Sequence, residues 1–321
     1  MSASPVRLSR SGSPVRVSFE FFPPKTAEME RTLWEAIARL EPLAPNFVSV
    51  TYGAGGTTRE RTHATVERIA YETSLKAAAH LTCVGASRAE IDEVIRGYHL
   101  AGVRHIVALR GDPAGGMDAP YQPSPDGYQT TADLVAGIKA IGDFEVSVAT
   151  YPEKHPQSPN LLHDVEMLKR KVDAGADGAI TQFFFDNSVY LRFLDVAAAA
   201  GVKIPIAPGI FPVQNFKQTA AFARRAGASM PKWLAERFEG LDDDPVTRRL
   251  VAAAVCAEQV VDLIDRGVKD LHFYTMNRAD LVFAICHLIG LRAREPAPTP
   301  SWAQALAAQA PQDAVARPAT R

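Results

Sequence analysis

A closed (β/α)₈ TIM barrel of the α/β class is the fold this sequence predicts, and three observations predict it. Short runs of β-branched and apolar residues alternate with helix-length amphipathic segments; eight such units follow one another between Val15 and Arg294; and polar residues gather just past the C-terminal end of each apolar run. Strands that alternate with helices pair in parallel through crossovers. Eight units in roughly 275 residues match the usual size of a barrel. An open doubly wound sheet is the alternative arrangement of the same elements.

The strand segments, in order, are Val15–Phe22, Asn46–Tyr52, Ala77–Cys83, Val103–Arg110, Phe144–Tyr151, Asp177–Phe183, Val202–Pro208 and Lys269–Thr275. Helical periodicity follows each of them, as in Glu28–Leu40, Arg59–Glu72, Ala89–Ala101 and Leu161–Ala174. Gly102, Gly175, Gly201 and Gly227 stand where a helix C-terminus needs a residue with positive φ. The seventh unit is longer than the rest. Asn215–Ala226 is followed by Pro231–Phe238 and by a long helix from Asp244 to Arg266, started by an Asp cap with proline at the first helical position. These extra helices read as an elaboration of the barrel. Three regions are therefore expected: a disordered Ser/Pro/Arg-rich segment over 1–14, one catalytic barrel over 15–294, and an Ala/Pro-rich tail over 295–321 in which Ser301–Gln309 has the length for a helical turn or two.

Bulk properties exclude several classes of function. The 321 residues carry a net charge of −1, so no global positive field draws nucleic acid or anionic lipid. Three scattered cysteines, Cys83, Cys256 and Cys286, offer neither a CxxC pair nor a disulfide framework, as in a reduced cytoplasmic protein. The sequence shows no apolar signal core and no run long enough to span a membrane. Asp242-Asp243-Asp244 reads as helix capping before Pro245 rather than as a metal site, and HExxH and EF-hand patterns are lacking. No metal is expected. Cys286-His287 reads as core, and Phe183–Phe185 as packing and pocket wall rather than a base-stacking platform.

Barrel chemistry takes place at the C-terminal strand ends. There the sequence places Glu20, then Thr51-Tyr52 with a glycine-rich turn, His80 and Thr82, Arg110-Gly111-Asp112, Tyr151 with His155, Gln182, Pro208-Gly209, and Tyr274 through Arg278. The glycine spacing fits neither GxGxxG nor a P-loop. Arg110 suits a phosphate, and Asp112 can accept hydrogen bonds from a heterocycle; a plain surface ion pair is the blander reading. Flanked by Phe19 and Phe21, Glu20 is expected to keep a raised pKa, as a general acid requires; the alternative is a structural Glu paired with a cation.

The strings SFEFFPPK, FVSVTYGAGG, ALRGDP, SVATYPEKHP, LKRKVDAGAD, ITQFFFD, PGIFPVQNFKQ, GLDDD and HFYTMNRA, in that order over Val15 to Leu291, resemble the methylenetetrahydrofolate reductase family in its short bacterial type. The resemblance implies an FAD-bearing barrel that reduces 5,10-methylenetetrahydrofolate to 5-methyltetrahydrofolate. Hydride from NADH or NADPH would pass through the flavin in ping-pong fashion, and the product would supply methyl groups for methionine synthesis. It also implies a homo-oligomer, with no nucleic-acid or membrane partner, and it does not imply the S-adenosylmethionine inhibition that belongs to the regulatory domain of the animal enzymes. By position, Glu20 matches the acid that assists opening of the imidazolidine ring, and Asp112 a carboxylate beside flavin and pterin. Thr51, Tyr52, Ala54, His80, Arg110, Gly111, Tyr151, His155, Asp164, Arg170 and Lys171 match flavin contacts, the last two at the phosphates. Gln182, Gln218 and Arg278 match folate contacts, and Gln182 and Phe222 positions that meet the nicotinamide.

Two departures from the family pattern stand out. Tyr128 lies in a stretch whose spacing differs from the family's Tyr-Ala-x-Asp-Leu contact with FAD, and Met167 replaces an Asn. Two rival readings remain at this level: another flavin barrel such as a proline dehydrogenase-like oxidase, and a non-catalytic flavin or folate carrier. A class I aldolase fits less well, since no strand offers a convincing Schiff-base lysine.

Overall fold

The computed structural model describes residues 14–53, 59–112 and 121–293. The expected disordered N-terminal segment, apart from Pro14, the Ala/Pro-rich tail and Ala54 lie outside them. β1 (Arg16–Phe21), β2 (Val48–Val50), β3 (Ala77–Thr82), β4 (His105–Leu109), β5 (Glu145–Thr150) and β6 (Gly178–Thr181) pair in parallel, each with the next. The sheet continues through β7 (Ile206–Ala207), and at its other side β1 pairs with β9 (Asp270–Tyr274), which pairs with β8 (Gly209–Ile210).

β7 and β8 are one strand in two pieces. Pro208 separates them, because proline has no N–H for a ladder. Its carbonyl still accepts from His272 N at 3.0 Å. One piece bonds to β6 and the other to β9, so the sheet closes as an eight-strand barrel with a split seventh strand. The sequence placed this strand over Val202–Pro208; the ladder begins later, at Ile206, and runs past the proline.

Helices surround the sheet: α1 (Ala27–Leu40), α2 (Arg59–Glu72), α3 (Arg88–Leu100), α4 (Thr131–Ile141), α5 (Leu161–Asp173) and α6 (Asn187–Ala199), then α7 (Phe216–Ala226), α8 (Lys232–Phe238), α9 (Pro245–Asp265) and α10 (Asp280–Leu288). α7, α8 and α9 are the expected elaboration between the last two barrel strands. Asp244 caps α9 by accepting Thr247 N at 2.9 Å, so one member of the acidic triplet serves as a helix cap. The four glycines expected at helix ends all have positive φ, between 75° and 111°. Cys286 is buried as expected, but its neighbour His287 is exposed.

Successive side chains of a strand point to opposite faces. The outward set, including Phe19, Val50, Leu81, Ile106, Val148 and Phe273, packs under the helices and forms the main core. A second, small apolar cluster holds Phe47, Ala78, Val107 and Ile180 with Leu109 against it. Alongside it are buried Ser18, His80, His105, Ser147 and His272. Buried polar groups are tolerated when they bond to one another. Here Ser18 Oγ meets His272 Nδ1 at 2.8 Å, and His105 Nε2 meets Ser147 Oγ at 2.9 Å.

Candidate active site

Glu20 faces this polar group and not the phenylalanines beside it in sequence. The expectation of a raised pKa is thereby corrected: Phe19 and Phe21 project to the helix side, while the Glu20 carboxylate lies between two imidazoles. His80 Nε2 is 3.3 Å and His272 Nε2 3.5 Å from Glu20 Oε2. Burial pushes the carboxyl up, but the two histidines outweigh it and hold it at about 2. The Glu20 backbone is fixed as well, since its carbonyl accepts from Thr275 Oγ1 at 2.6 Å and Thr275 N at 3.2 Å. Asn277 pins the loop after β1 by a reciprocal pair of 2.9 Å bonds with Phe22 N and O. Met276 and Asn277 both have positive φ, a strained pair of the kind that gathers at functional sites.

A cavity of about 520 Å³ opens over the C-terminal ends of β2, β3, β4 and β5. Tyr52, Arg110, Gly111, Asp112, Tyr151 and His155 line it, as do Asp164, Met167, Arg170 and Lys171 from α5. Gly111 adopts φ +82°, and a Cβ there would fall 2.6 Å from Val84 Cγ1, so the turn demands glycine. Asp164 organises the far wall: it accepts from His155 N at 2.8 Å and from Ser158 Oγ. Burial, and then the nearby Arg110, lower His155 to about 4. Burial, with the Asp112 carboxylate adding to it, raises Tyr151 to about 12. Lys171 donates to Ala149 O at 2.8 Å, and burial lowers it to about 8 although Asp164 pulls the other way. Arg170 is exposed and paired with Glu166.

The remaining residues singled out from sequence fall elsewhere. Thr51 turns its carbonyl to Thr62 Oγ1 at 2.8 Å. His80 sits beside Glu20 and is not on the cavity wall. Gln182 follows β6, its amide oxygen accepting Phe183 N at 3.0 Å. Gln218, Phe222 and Arg278 line a second cavity of about 550 Å³, with Phe211, Arg225 and Met276. Phe222 stacks on Phe183 at 5.5 Å, which joins this cavity to the phenylalanine run of strand six. Tyr128 is buried, donates to Asp92 at 2.6 Å and is not on the cavity wall; Gln129, Thr130, Thr131 and Ala132 from the same stretch are. His272 was not singled out from sequence. Its signal was the in-register pairing of β1 and β9, which sets Ser18 beside His272 and Glu20 beside Tyr274.

A closed parallel barrel with a cation- and hydroxyl-lined cavity over its strand ends defines a barrel enzyme of the (β/α)₈ class. Within that class, the chain belongs to the methylenetetrahydrofolate reductase family, whose sequence profile matches residues 7–290. It is 51% identical over 280 residues to the 5,10-methylenetetrahydrofolate reductase of Escherichia coli (strain K12), covering 87% of this chain and 92% of that one. The enzyme of the same name from Pectobacterium carotovorum subsp. carotovorum is likewise 51% identical, over 87% of this chain and 91% of its own. Among solved structures, a Clostridium thermocellum protein described as binding two copies of 5-methyl-5,6,7,8-tetrahydrofolic acid superposes with a TM-score of 0.59 at 16% identity. It covers 88% of this chain and 95% of its own, a likeness of fold. No helix among the described residues is long and apolar enough to cross a membrane.

Proposed function

We propose that this chain reduces 5,10-methylenetetrahydrofolate to 5-methyltetrahydrofolate with hydride from NADH or NADPH, by way of bound FAD, in a ping-pong sequence. The reading rests on family membership, and the observation that carries the cofactor is the cavity wall. Thr82 Oγ1 and Thr150 Oγ1 are buried, line the cavity and have no hydrogen-bond partner among the described residues. Lys171 forms no ion pair among the described residues. Orphaned hydroxyls beside an unpaired cation suit a polar heterocycle joined to phosphates. The residues present therefore fit FAD, and Met167 supplies an apolar surface where the family pattern has Asn.

When bound, FAD supplies two-electron transfer between nicotinamide and folate. The chain supplies the rest. Lys171, Arg110 and Arg170 would hold the phosphates, Arg170 the least firmly because it is exposed and paired with Glu166. Asp112, beside Tyr151, would orient the heterocycles. Gln218, Phe222 and Arg278 would guide the folate from the second cavity, and Gln182 and Phe222 would also meet the nicotinamide. Glu20 would pass a proton to the folate nitrogen that leaves the methylene bridge, which opens the ring to an iminium carbon able to accept hydride. Overall, one hydride and one proton enter the folate and NAD(P)⁺ leaves. The test is to purify the protein, identify its chromophore and run the two half-reactions anaerobically. A colourless protein that takes up no FAD on titration would overturn the reading.

Lys171 gives a sharper check. Lys171→Ala is expected to weaken FAD binding by about 1–3 kcal/mol, the range for a charged hydrogen bond. Because burial holds this lysine near 8, the FAD-free protein keeps the cation below that pH and loses it above. Wild-type affinity for FAD should therefore fall as pH rises through 8, since binding must then take up a proton. The variant should lack that fall. Fluorescence titration at pH 7 and pH 9 measures both, and equal dissociation constants in wild type and variant would leave Lys171 no part in binding.

A further inference from the structure

We propose that Arg225 and Arg248, at the mouth of the second cavity, read the 2′-phosphate of the nicotinamide donor, so that NADPH is taken in preference to NADH. This rests on the reduction reading above and chooses between the two donors it allows. The charge of the cavity wall carries the inference. Among the described residues, three arginines line this cavity, Arg225, Arg248 and Arg278, and no aspartate or glutamate does. None of the three forms an ion pair among the described residues, whereas Arg237 on α8 and Arg266 after α9 are paired with Glu258 and Asp262.

The groups these arginines touch are neutral. Arg248 Nη1 donates to Leu241 O at 3.0 Å and to Asp242 O, which fixes the arm through one nitrogen of the guanidinium. Arg278 Nη1 donates to the Gln214 amide oxygen at 3.2 Å. Arg225 Cζ lies 5.9 Å from the Phe222 ring centroid. The acidic residues before α9 are engaged elsewhere: the Asp242 carboxylate with Lys217 Nζ at 2.8 Å, and that of Asp244 with Thr247. A carboxylate enters in the adjoining recess of about 90 Å³, where Asp280 stands with Arg248, Arg249 and Arg278 and is outnumbered.

Charge matching decides which donor suits such a wall. A guanidinium stays ionised and grips a phosphate through two parallel N–H bonds. NADH brings its pyrophosphate alone, and NADPH adds a phosphate monoester worth about −1.5 to −2 at pH 7. A site that selects NADH places a carboxylate to receive the ribose 2′-hydroxyl, and that carboxylate repels a phosphate; a site that takes NADPH offers an arginine instead. This cavity has the second composition. Phe222 is 40% exposed at the rim, so a nicotinamide seated inside it leaves the rest of the donor to cross the mouth. Arg225 stands there, three residues beyond Phe222 on the same face of α7. Arg248 reaches the mouth from α9, and Arg278, in the loop after β9, is left for the folate.

The test compares NADPH with NADH on holoprotein by anaerobic stopped-flow flavin absorbance, in wild type, Arg225→Gln, Arg225→Lys, Arg248→Gln and Arg237→Gln. Wild-type flavin should be reduced at least ~10-fold more efficiently by NADPH, the ratio that one charge-assisted contact supplies. In Arg225→Gln and Arg248→Gln the ratio should fall severalfold, through weaker NADPH binding at an unchanged limiting rate, while NADH is unaffected. Arg225→Lys, which keeps the charge, should retain part of the preference. Arg237→Gln, off the cavity and paired with Glu258, should match wild type. Lowering the pH through about 6, where a phosphate monoester takes up its second proton, should shrink the wild-type preference and leave that of Arg225→Gln flat. Calorimetric titration with adenosine 2′,5′-bisphosphate and with 5′-AMP makes the same comparison without hydride transfer; wild type should favour the bisphosphate, and Arg225→Gln should not.

Equal efficiency with both donors in wild type, or a preference that survives in Arg225→Gln and Arg248→Gln, would overturn the proposal. So would a loss confined to the folate half-reaction, which would give these arginines to the folate carboxylates, or an equal loss with both donors, which would give them to the pyrophosphate. If neither donor bleaches the flavin, the reduction reading fails instead, and the bisphosphate titration still decides whether the arginines read a 2′-phosphate. Should Arg248→Gln not fold, Arg225→Gln decides by the same readouts, because Arg225 is exposed and carries no hydrogen bond among the described residues.

Discussion

In Glu20→Gln, the folate half-reaction is expected to fall by ~10²–10⁴, the usual loss when a general acid is removed, while the NADH half-reaction stays within roughly tenfold of wild type. The substitution keeps side-chain shape. The two contacts from Thr275 go to the Glu20 main-chain carbonyl, so the strand end stays in place. What disappears is the carboxyl, 3.3 and 3.5 Å from the His80 and His272 imidazoles, that would carry a proton to the folate. Hydride departure from a nicotinamide needs no proton donated to it, which is why the first half-reaction is spared. Ring opening needs one, because the methylene carbon is a poor hydride acceptor while both nitrogens hold it. Stopped-flow absorbance at the flavin band reads both steps on one sample. Equal losses in both would make Glu20 structural, and an unchanged folate step would move the acid elsewhere, with Asp112 the next carboxylate to test.

The contrast between what was legible for Glu20 and what was not is instructive. Its place at a strand end followed from the alternation of strands and helices, and its chemistry was sought there because barrels act at that end. Its environment was misjudged because sequence neighbours on a strand face opposite ways. Phe19 and Phe21 belong to the helix-facing core, and the groups that set the carboxyl come from β3 and β9, about 60 and 250 positions away along the chain. Nothing local in DLHFY reveals that His272 meets Glu20; only the β1–β9 register does. Helix ends were legible for the opposite reason: capping and positive-φ glycines are local signals, and Gly102, Gly175, Gly201 and Gly227 all behave accordingly. The seventh strand was placed early because its apolar run starts before Pro205, while the ladder is decided by what β6 and β9 offer across the proline break. Tyr128, whose departure in spacing left its contact with FAD open, is kept off the cavity wall by tertiary packing: a Cβ on Gly137 would fall 2.0 Å from its hydroxyl, so the ring fills the space that this glycine leaves.

Gly209→Ala is expected to destabilise the fold by about 2–4 kcal/mol and to slow the folate step as well. Overpacking a filled interior costs roughly 1–3 kcal/mol, and losing a buried hydrogen bond adds about 1. Gly209 lies just past the Pro208 break, where the split strand joins β9, and its N–H donates to Thr181 Oγ1 at 2.9 Å. An added Cβ would stand 2.3 Å from the Thr181 carbonyl oxygen and 2.5 Å from Tyr274 Cε2. The first is backbone of β6 and cannot yield without opening the barrel. The second can yield only if Tyr274 swings away, which breaks its 2.8 Å bond to that same carbonyl and removes the ring that packs edge-on against His272. Barrel closure and the setting of the acid thus depend on one missing methyl group. Gly97→Ala is the control: it lies in α3 with nothing within 4 Å of an added Cβ, so the substitution should leave stability unchanged or raise it by up to ~1 kcal/mol. Thermal unfolding of both variants, followed by the two half-reactions on whatever Gly209→Ala protein folds, separates the effects. A Gly209→Ala protein as stable as wild type would mean that the seam relaxes without cost. A stable fold with an intact folate step would detach Tyr274 from the chemistry altogether.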